Sequence, residues 1–272
     1  MLTLQNPAQG PYYGQVDMSD DGANANYNAV LASLQHRFSH GFTFLGNYTW
    51  SHCLSDTDFR GDNTGPSFEN PSNLRADYGN CAFDDSQVWN ITVVATSPAK
   101  GNGFAGRLLK NWQLAPLFRR VAGIPINILT GADNSLTAVA FDRPNLVAPG
   151  SVYNSDMGPK LQYLNPAAFS PNALGTFGNL GRNAITGPAQ FNFDLALSRT
   201  FTIREGWHLE ARAEAFNAIN HTNFAPNLSV GVSSASVPSG SVSSPAISSS
   251  TFGQITGAGD PRIMQFALKM VF

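Results

Sequence analysis

The sequence predicts an all-β chain: an antiparallel meander of about seven or eight strands, written as part of a transmembrane β-barrel with long outer loops. Three observations carry this. Large apolar residues recur at every second position over several separate stretches, the period of a strand with one apolar face. The connections between those stretches alternate between short and long. Only 12% of the 272 residues are charged, while aromatics reach 11% with 19 Phe. The chain is nevertheless 42% hydrophobic with a mean hydropathy of −0.14, as expected where a polar lumen and polar loops dilute the apolar residues.

Residues 1–26 are polar and turn-rich (Asn6-Pro7, Gly10-Pro11, Ser19-Asp-Asp-Gly22), with a short strand expected at 12–18. Residues 27–38 alternate, with Val30, Ala32, Leu34 and Phe38 on one face and Asn28 and His36 interrupting it. Ser39-His-Gly41 is a tight turn. In 42–52, Phe42, Phe44, Gly46, Tyr48 and Trp50 oppose Thr43, Leu45, Asn47, Thr49 and Ser51. The two stretches form a hairpin whose strands have about the 9–11 residues that a tilted membrane strand needs.

Residues 53–86 are a loop rich in Asp, Asn, Ser, Gly and Pro. The strand at 87–96 carries Trp89, Ile91, Val93 and Ala95 on one face. A glycine-bearing connection, 97–111, leads to a strand at 112–122 with Trp112, Leu114, Pro116 and Phe118 on one face. Pro116 lacks an N–H, so a bulge or weak pairing is expected there. Residues 123–190 are the longest irregular region. In 191–201, Phe191, Phe193, Leu195, Leu197 and Phe201 oppose Asn192, Asp194, Ala196, Ser198 and Thr200.

A turn around Arg204-Glu-Gly206 gives a strand at 207–216, where Leu209, Ala211, Ala213 and Ala215 oppose His208, Glu210, Arg212 and Glu214. Charges of alternating sign on one face suit a wet lumen. Residues 217–261 form a loop with a Ser-rich middle, 229–250. The last strand, 262–272, places Met264, Phe266, Leu268, Met270 and Phe272 against Gln265, Ala267 and Lys269. It resembles the C-terminal signal strand of bacterial outer-membrane barrels, which ends in Phe.

The alternation assigns Phe44, Tyr48, Trp89, Ile91, Phe193, Leu195, Leu209, Phe266 and Leu268 to lipid. It assigns Asn47, Thr92, Asp194, Glu210, Arg212, Glu214 and Lys269 to the lumen. Trp50 and Trp89 flank one outer loop, while Trp112 and Trp207 each follow a short connection, so two tryptophans fall at each interface as an aromatic girdle. Cys53 and Cys81 are either a disulfide across a loop in an oxidising compartment or two free thiols.

Other chemistry is thin. A net charge of −2 gives no nucleic-acid footprint. No run approaches 18 apolar residues, so no transmembrane helix is expected. The first residues lack the basic and apolar regions of a signal peptide, and the chain is expected to be the C-terminal piece of a longer protein. His36, His40, His52, His208 and His221 offer no metal framework, and Ser51-His52 lacks a nucleophile-elbow context. Gly101-Asn-Gly103 and Gly178-Asn-Leu-Gly181 precede no helical pattern that would cradle phosphate. Asp56, Asp58, Asp62, Asp84 and Asp85 read as a solvated acidic loop rather than a calcium site. No enzyme activity, metal or cofactor is expected.

Several segments, in order along nearly the whole chain, resemble the barrel region of TonB-dependent outer-membrane receptors of the Oar-like type. They are Asn26-Tyr-Asn-Ala-Val30, Arg37-Phe-Ser-His-Gly41, Tyr48-Thr-Trp-Ser51, Asn111-Trp-Gln113, Gly123-Ile-Pro125, Asp142-Arg-Pro-Asn145 and Asn165-Pro-Ala-Ala-Phe169. Gly175-Thr-Phe-Gly-Asn179, Ala213-Glu-Ala-Phe-Asn217, Asn223-Phe224, Phe252-Gly253 and Asp260-Pro-Arg262 continue the series. The resemblance implies a 22-stranded barrel with an N-terminal plug and energised substrate uptake across the outer membrane of a Gram-negative bacterium. It implies four partners: outer-membrane lipid, the remaining strands and plug, the barrel-assembly machinery through the last strand, and an inner-membrane energy-coupling complex through an N-terminal region. Seven or eight strands with no plug depart from that pattern, so the chain reads as the C-terminal portion of such a barrel. The alternatives are a non-transporting surface or adhesion barrel and an extracellular β-protein.

Overall fold

Strands form where the period-2 stretches lie, because alternation lets each stretch present one apolar and one polar face to its neighbours. A computed structural model describes residues 22–39, 41–57, 68–70, 72–97, 103–137, 142–224 and 246–272. The strands are β1 Ala25–Ser39, β2 Phe42–Ser55, β3 Gly79–Asn80, β4 Gln87–Thr96, β5 Trp112–Val121 and β6 Pro125–Ile126. They continue as β7 Asn145–Leu146, β8 Phe169–Ser170, β9 Ile185–Thr186, β10 Gln190–Arg204, β11 Trp207–Phe216 and β12 Ile263–Val271.

The seven long strands form one sheet in the order β1-β2-β4-β5-β10-β11-β12, with β3 paired to β2. Every pair among them is antiparallel, and neighbours in the sheet are successive long strands in the chain. The sheet is therefore an open meander. Among the described residues, β1 pairs only with β2 and β12 only with β11.

Register settles which residues share a face, since directly opposed residues lie on the same side. His36↔Phe44↔Val93, Ala32↔Tyr48↔Trp89 and Gly46↔Ile91↔Phe118↔Phe193 run across one face. That face continues as Leu195↔Ala215, Phe201↔Leu209↔Met270, Ala211↔Leu268 and Ala213↔Phe266. The other face carries Asn47↔Asn90↔Arg119, Thr92↔Leu117↔Asp194, Ala196↔Glu214, Ser198↔Arg212 and Thr200↔Glu210↔Lys269. Pro116 leaves a gap in the β4–β5 ladder between Thr92↔Leu117 and Ala95↔Leu114. Pro116 still stands opposite Leu195 of β10, and the register does not shift on either side of it. The ladder is thinned there, without a bulge.

The structure also departs from the sequence reading. β1, β2 and β10 run to 15, 14 and 15 residues, longer than the alternation alone predicted. Their extra length carries them into the loops: β2 continues through Cys53 and Ser55 to meet β3. A six-residue helix, α1 Phe104–Leu109, occupies the connection before β5, and the Trp112 indole donates to its Leu108 carbonyl at 2.8 Å. The short strand expected at 12–18 lies outside the described residues, as does most of the Ser-rich stretch.

The region 123–190 is the largest correction. It holds β6 to β9 and, with residues 246–255, encloses an apolar core of its own. Ile126, Ile128, Leu164, Ala168, Phe169, Leu180, Ile185, Phe252 and Ile255 are buried together. β6 pairs with β9 and β7 with β8, and Leu129 bridges to Ala246. Two glycines are required by close packing. A Cβ on Gly123 would sit 1.7 Å from the Gly187 carbonyl oxygen, and Gly253 holds φ at +76° with the Leu164 carbonyl 2.8 Å from where a Cβ would stand.

Candidate functional site

The sheet has two distinct ends. β1 and β2, β4 and β5, and β10 and β11 are joined at one end, where the connections between them are short; β2 and β4, β5 and β10, and β11 and β12 are joined at the other, where they are long. The apolar face carries aromatic residues near both. At the loop end, the Tyr48 and Trp89 rings stand 4.0 Å apart, and Trp50 lies on the same face. At the turn end, Trp207 and Phe272 stand 5.4 Å apart, and the Arg204 guanidinium lies 4.2 Å from the Trp207 ring centre.

Sequence reading left Arg199 unassigned. It stands on the apolar face opposite Trp112, with its guanidinium 5.3 Å from that ring and 4.7 Å from Phe201. Its position near the turn end lets a long side chain lay its stem along apolar surface while its head stays at the boundary. On the polar face, Arg212 lies 3.7 Å from Glu210 and 3.4 Å from Glu214, while Gln265 donates to Glu214. Asp194 accepts the Asn217 N–H at 2.8 Å, and Lys269 stands opposite Glu210.

At the loop end, charged residues that sequence reading passed over fasten three segments together. Arg143 is buried and pairs with both Glu69 and Asp77. It also donates to the carbonyls of Leu180 at 3.0 Å and Ala76 at 3.1 Å. Its own N–H donates to Glu69 at 2.6 Å, and the Glu69 N–H donates to Asp77 at 3.0 Å. Burial holds the Glu69 carboxyl above the ordinary carboxylate range; Asp77 and Asp142 add to this, and Arg143 opposes it. Arg182 reaches the Asp77 carbonyl at 2.6 Å and the Ser55 hydroxyl at 2.9 Å, tying 180–183 to the end of β2. The Asp142-Arg-Pro-Asn145 stretch was the available signal: two adjacent charged residues in a charge-poor loop.

Cys53 and Cys81 form a disulfide with Cα atoms 5.4 Å apart. It joins the end of β2 to the residue after β3, where the Cys81 N–H donates to the Cys53 carbonyl at 3.0 Å. Of the loop aspartates, Asp58 and Asp62 lie outside the described residues. Asp56 accepts the Asn24 N–H at 2.8 Å, and Asp84 lies 3.5 Å from His52 Nδ1.

Two clefts open on the polar face at the loop end. The larger, about 510 Å³, lies over β10 to β12 and is lined by Asn192, Asp194, Asn217, Asn223, Asp260 and Phe216, among others. Its amides are largely engaged: Asn223 accepts from the Phe191 N–H at 2.7 Å and donates to the Phe191 carbonyl at 2.8 Å, as a strand neighbour would. The smaller, about 240 Å³, is lined by Tyr27, Thr49, Ser51, Cys53, Phe83, Asp84, Asp85 and Val88.

An open antiparallel meander with one apolar face, rings near both ends and clefts in the other face is the geometry of a membrane barrel wall. Residues 2–265 match the family model of an outer membrane beta barrel domain. The chain belongs to that family. No curated protein and no solved structure matches it. As an outer membrane beta barrel domain it resides in the outer membrane, in contact with lipid, and the two ends of the sheet are the two rims of a barrel wall.

Proposed function

We propose that this barrel domain is a wall segment of a TonB-dependent receptor that takes up a substrate across the outer membrane, and that it has no enzymatic role. Its apolar face meets lipid, and its polar face lines a lumen shared with further strands and a plug. The turn end faces the periplasm and the loop end faces outward. The barrel-assembly machinery engages the strand ending at Phe272, and the energy-coupling complex acts through a region outside this sequence.

The observation that carries this reading is where the receptor-like motifs fall. Beside those on β1, β2, β5 and β11, seven of them lie in the long segments of the loop end: 123–125, 142–145, 165–169, 175–179, 223–224, 252–253 and 260–262. Asp142 and Arg143 sit in the buried charge network, Asn165 accepts the Ala167 N–H at 3.1 Å, and the Phe169 and Phe252 rings meet edge to face at 5.4 Å. Asn179 accepts the Leu146 N–H at 2.7 Å. A long-loop assembly with its own core, above a polar face with clefts, suits capture of a solute at a barrel mouth.

The test is an immunoblot of outer membranes with an antibody to the outer loops, paired with uptake of labelled solutes too large for porins. A band far above 29.1 kDa, and uptake that a protonophore stops and gene disruption removes, is the expected result. A mature band at that mass with no such uptake would favour a non-transporting surface barrel.

A further inference from the structure

We propose that the smaller cleft binds a protonated amine, with the Asp84 carboxylate as the counter-ion and the Tyr27 and Phe83 rings as its walls. The inference names a ligand class for the receptor reading above and rests on it only for what happens after binding.

Asp84 is the starting point. Its side chain is only 3% exposed, yet its Oδ1 has no hydrogen-bond partner. Its Oδ2 faces His52 Nδ1 at 3.5 Å. A buried carboxylate oxygen without a donor is costly, and such groups are normally paired. Asp84 lines an open cleft, so a ligand can supply the missing donor.

The position of Asp84 is fixed before any ligand arrives. Its N–H donates to the Cys81 carbonyl at 3.1 Å, and the disulfide ties Cys81 to Cys53, which lines the same cleft. Ser51 holds the next turn by donating its hydroxyl to the Asp85 carbonyl at 3.1 Å and its N–H to the Ser86 carbonyl at 3.0 Å.

The walls select the ligand. Tyr27 is 64% and Phe83 67% exposed, two large rings in water beside one carboxylate pair. Aromatic faces attract cations and do nothing for anions, which Asp84 would repel; the charge of Asp85 is offset by Arg119. A neutral polyol would leave the Asp84 charge uncompensated. A calcium ion takes six to eight oxygen ligands and gains nothing from rings. Among the described residues no group of three or more His, Cys, Asp or Glu is placed to hold a metal. A primary ammonium, a compact charge with three donors, fits a small cleft whose buried carboxylate has one unpartnered oxygen. It could come from a free diamine or from a lysine side chain on a peptide.

The test is calorimetric titration of the chain in detergent with 1,5-diaminopentane, with Nα-acetyl-lysine methylamide and with calcium chloride. One site per chain for either amine is expected, the two amine probes telling the sources apart. Asp84→Asn should weaken it tenfold or more, since the charge-assisted hydrogen bond is lost. Phe83→Ala should weaken it severalfold, and Asp194→Asn in the larger cleft should leave it unchanged. Phe83 is exposed, so its variant carries the test where Asp84→Asn misfolds. Binding of neither amine, equal binding by Asp84→Asn and wild type, equal binding by Phe83→Ala and wild type, or a response to calcium alone would each overturn the assignment. No membrane energy is involved, so a failure here is separable from a failure of the uptake reading.

Discussion

Glu69 shows how burial and pairing compete at one residue. Its carboxyl titrates above the ordinary value of 4.5 because burial outweighs the pull of Arg143. The folded state therefore holds that proton more tightly than the unfolded state. The group's contribution to stability is full below the ordinary range and is lost as pH rises through the raised value. Glu69→Gln keeps an acceptor for the Arg143 N–H and does not titrate. The stability of wild type relative to this variant should fall as pH rises above 4.5 and then level off. Urea unfolding at a series of pH values checks it; a difference growing in favour of wild type would mean that the Arg143 ion pair wins. A second pair of substitutions tests the faces. Leu195 stands on the apolar face between Pro116 and Ala215, and Ala196 on the other face opposite Glu214. Leu195→Arg should cost roughly 2–4 kcal/mol in a bilayer. Ala196→Arg should cost under about 1 kcal/mol, since Glu214 offers a partner. Equal losses would remove the lipid and lumen assignment. Faces were legible in sequence because alternation is a local property. The roles of Arg143 and Arg182 were not, because their partners lie in other segments of the chain.

At the scale of elements, the disulfide is the clearest constraint on the outer loops. It closes a loop with a sequence separation of 28, for which chain entropy gives roughly 3–4 kcal/mol. Thiol counting on native protein should find no free thiol. Cys53→Ser with Cys81→Ser should speed limited proteolysis within 56–86 and leave far-UV circular dichroism of the sheet unchanged. Two free thiols in native protein, or a loop equally resistant without them, would count against a structural role. The long strands were readable because each needs only its own period and its neighbour in the chain. The loop assembly was not, because its contacts are distant in sequence and aperiodic: Leu129 with Ala246, Phe169 with Phe252, Arg182 with Ser55. A region such as 123–190 reads as irregular chain only until those long-range partners close a core around it.

At the scale of the whole molecule, strand parity limits how the barrel wall can close. Seven long strands alternate in direction, so β1 and β12 run the same way. Pairing them directly would make a parallel seam, whereas bacterial outer-membrane barrels are antiparallel with an even strand count. An all-antiparallel barrel takes an odd number of further strands: one, as 12–18 was read, or many, as in a receptor. The polar face favours many. Asn47, Thr92, Asp194, Glu210 and Glu214 suit a wide wet lumen, while the smallest barrels fill their interior with side chains. The edges of β1 and β12 would leave N–H and C=O groups unpaired in lipid at several kcal/mol each. The 272-residue chain, refolded alone in detergent, should therefore associate through its edges instead of closing. Cysteines placed at Leu31 and Ala267, on the polar face of the two edge strands, should cross-link between molecules and not within one. Gel mobility with and without boiling supplies the second readout. A heat-modifiable monomer with an efficient intrachain cross-link would establish a small closed barrel and end the wall-segment reading.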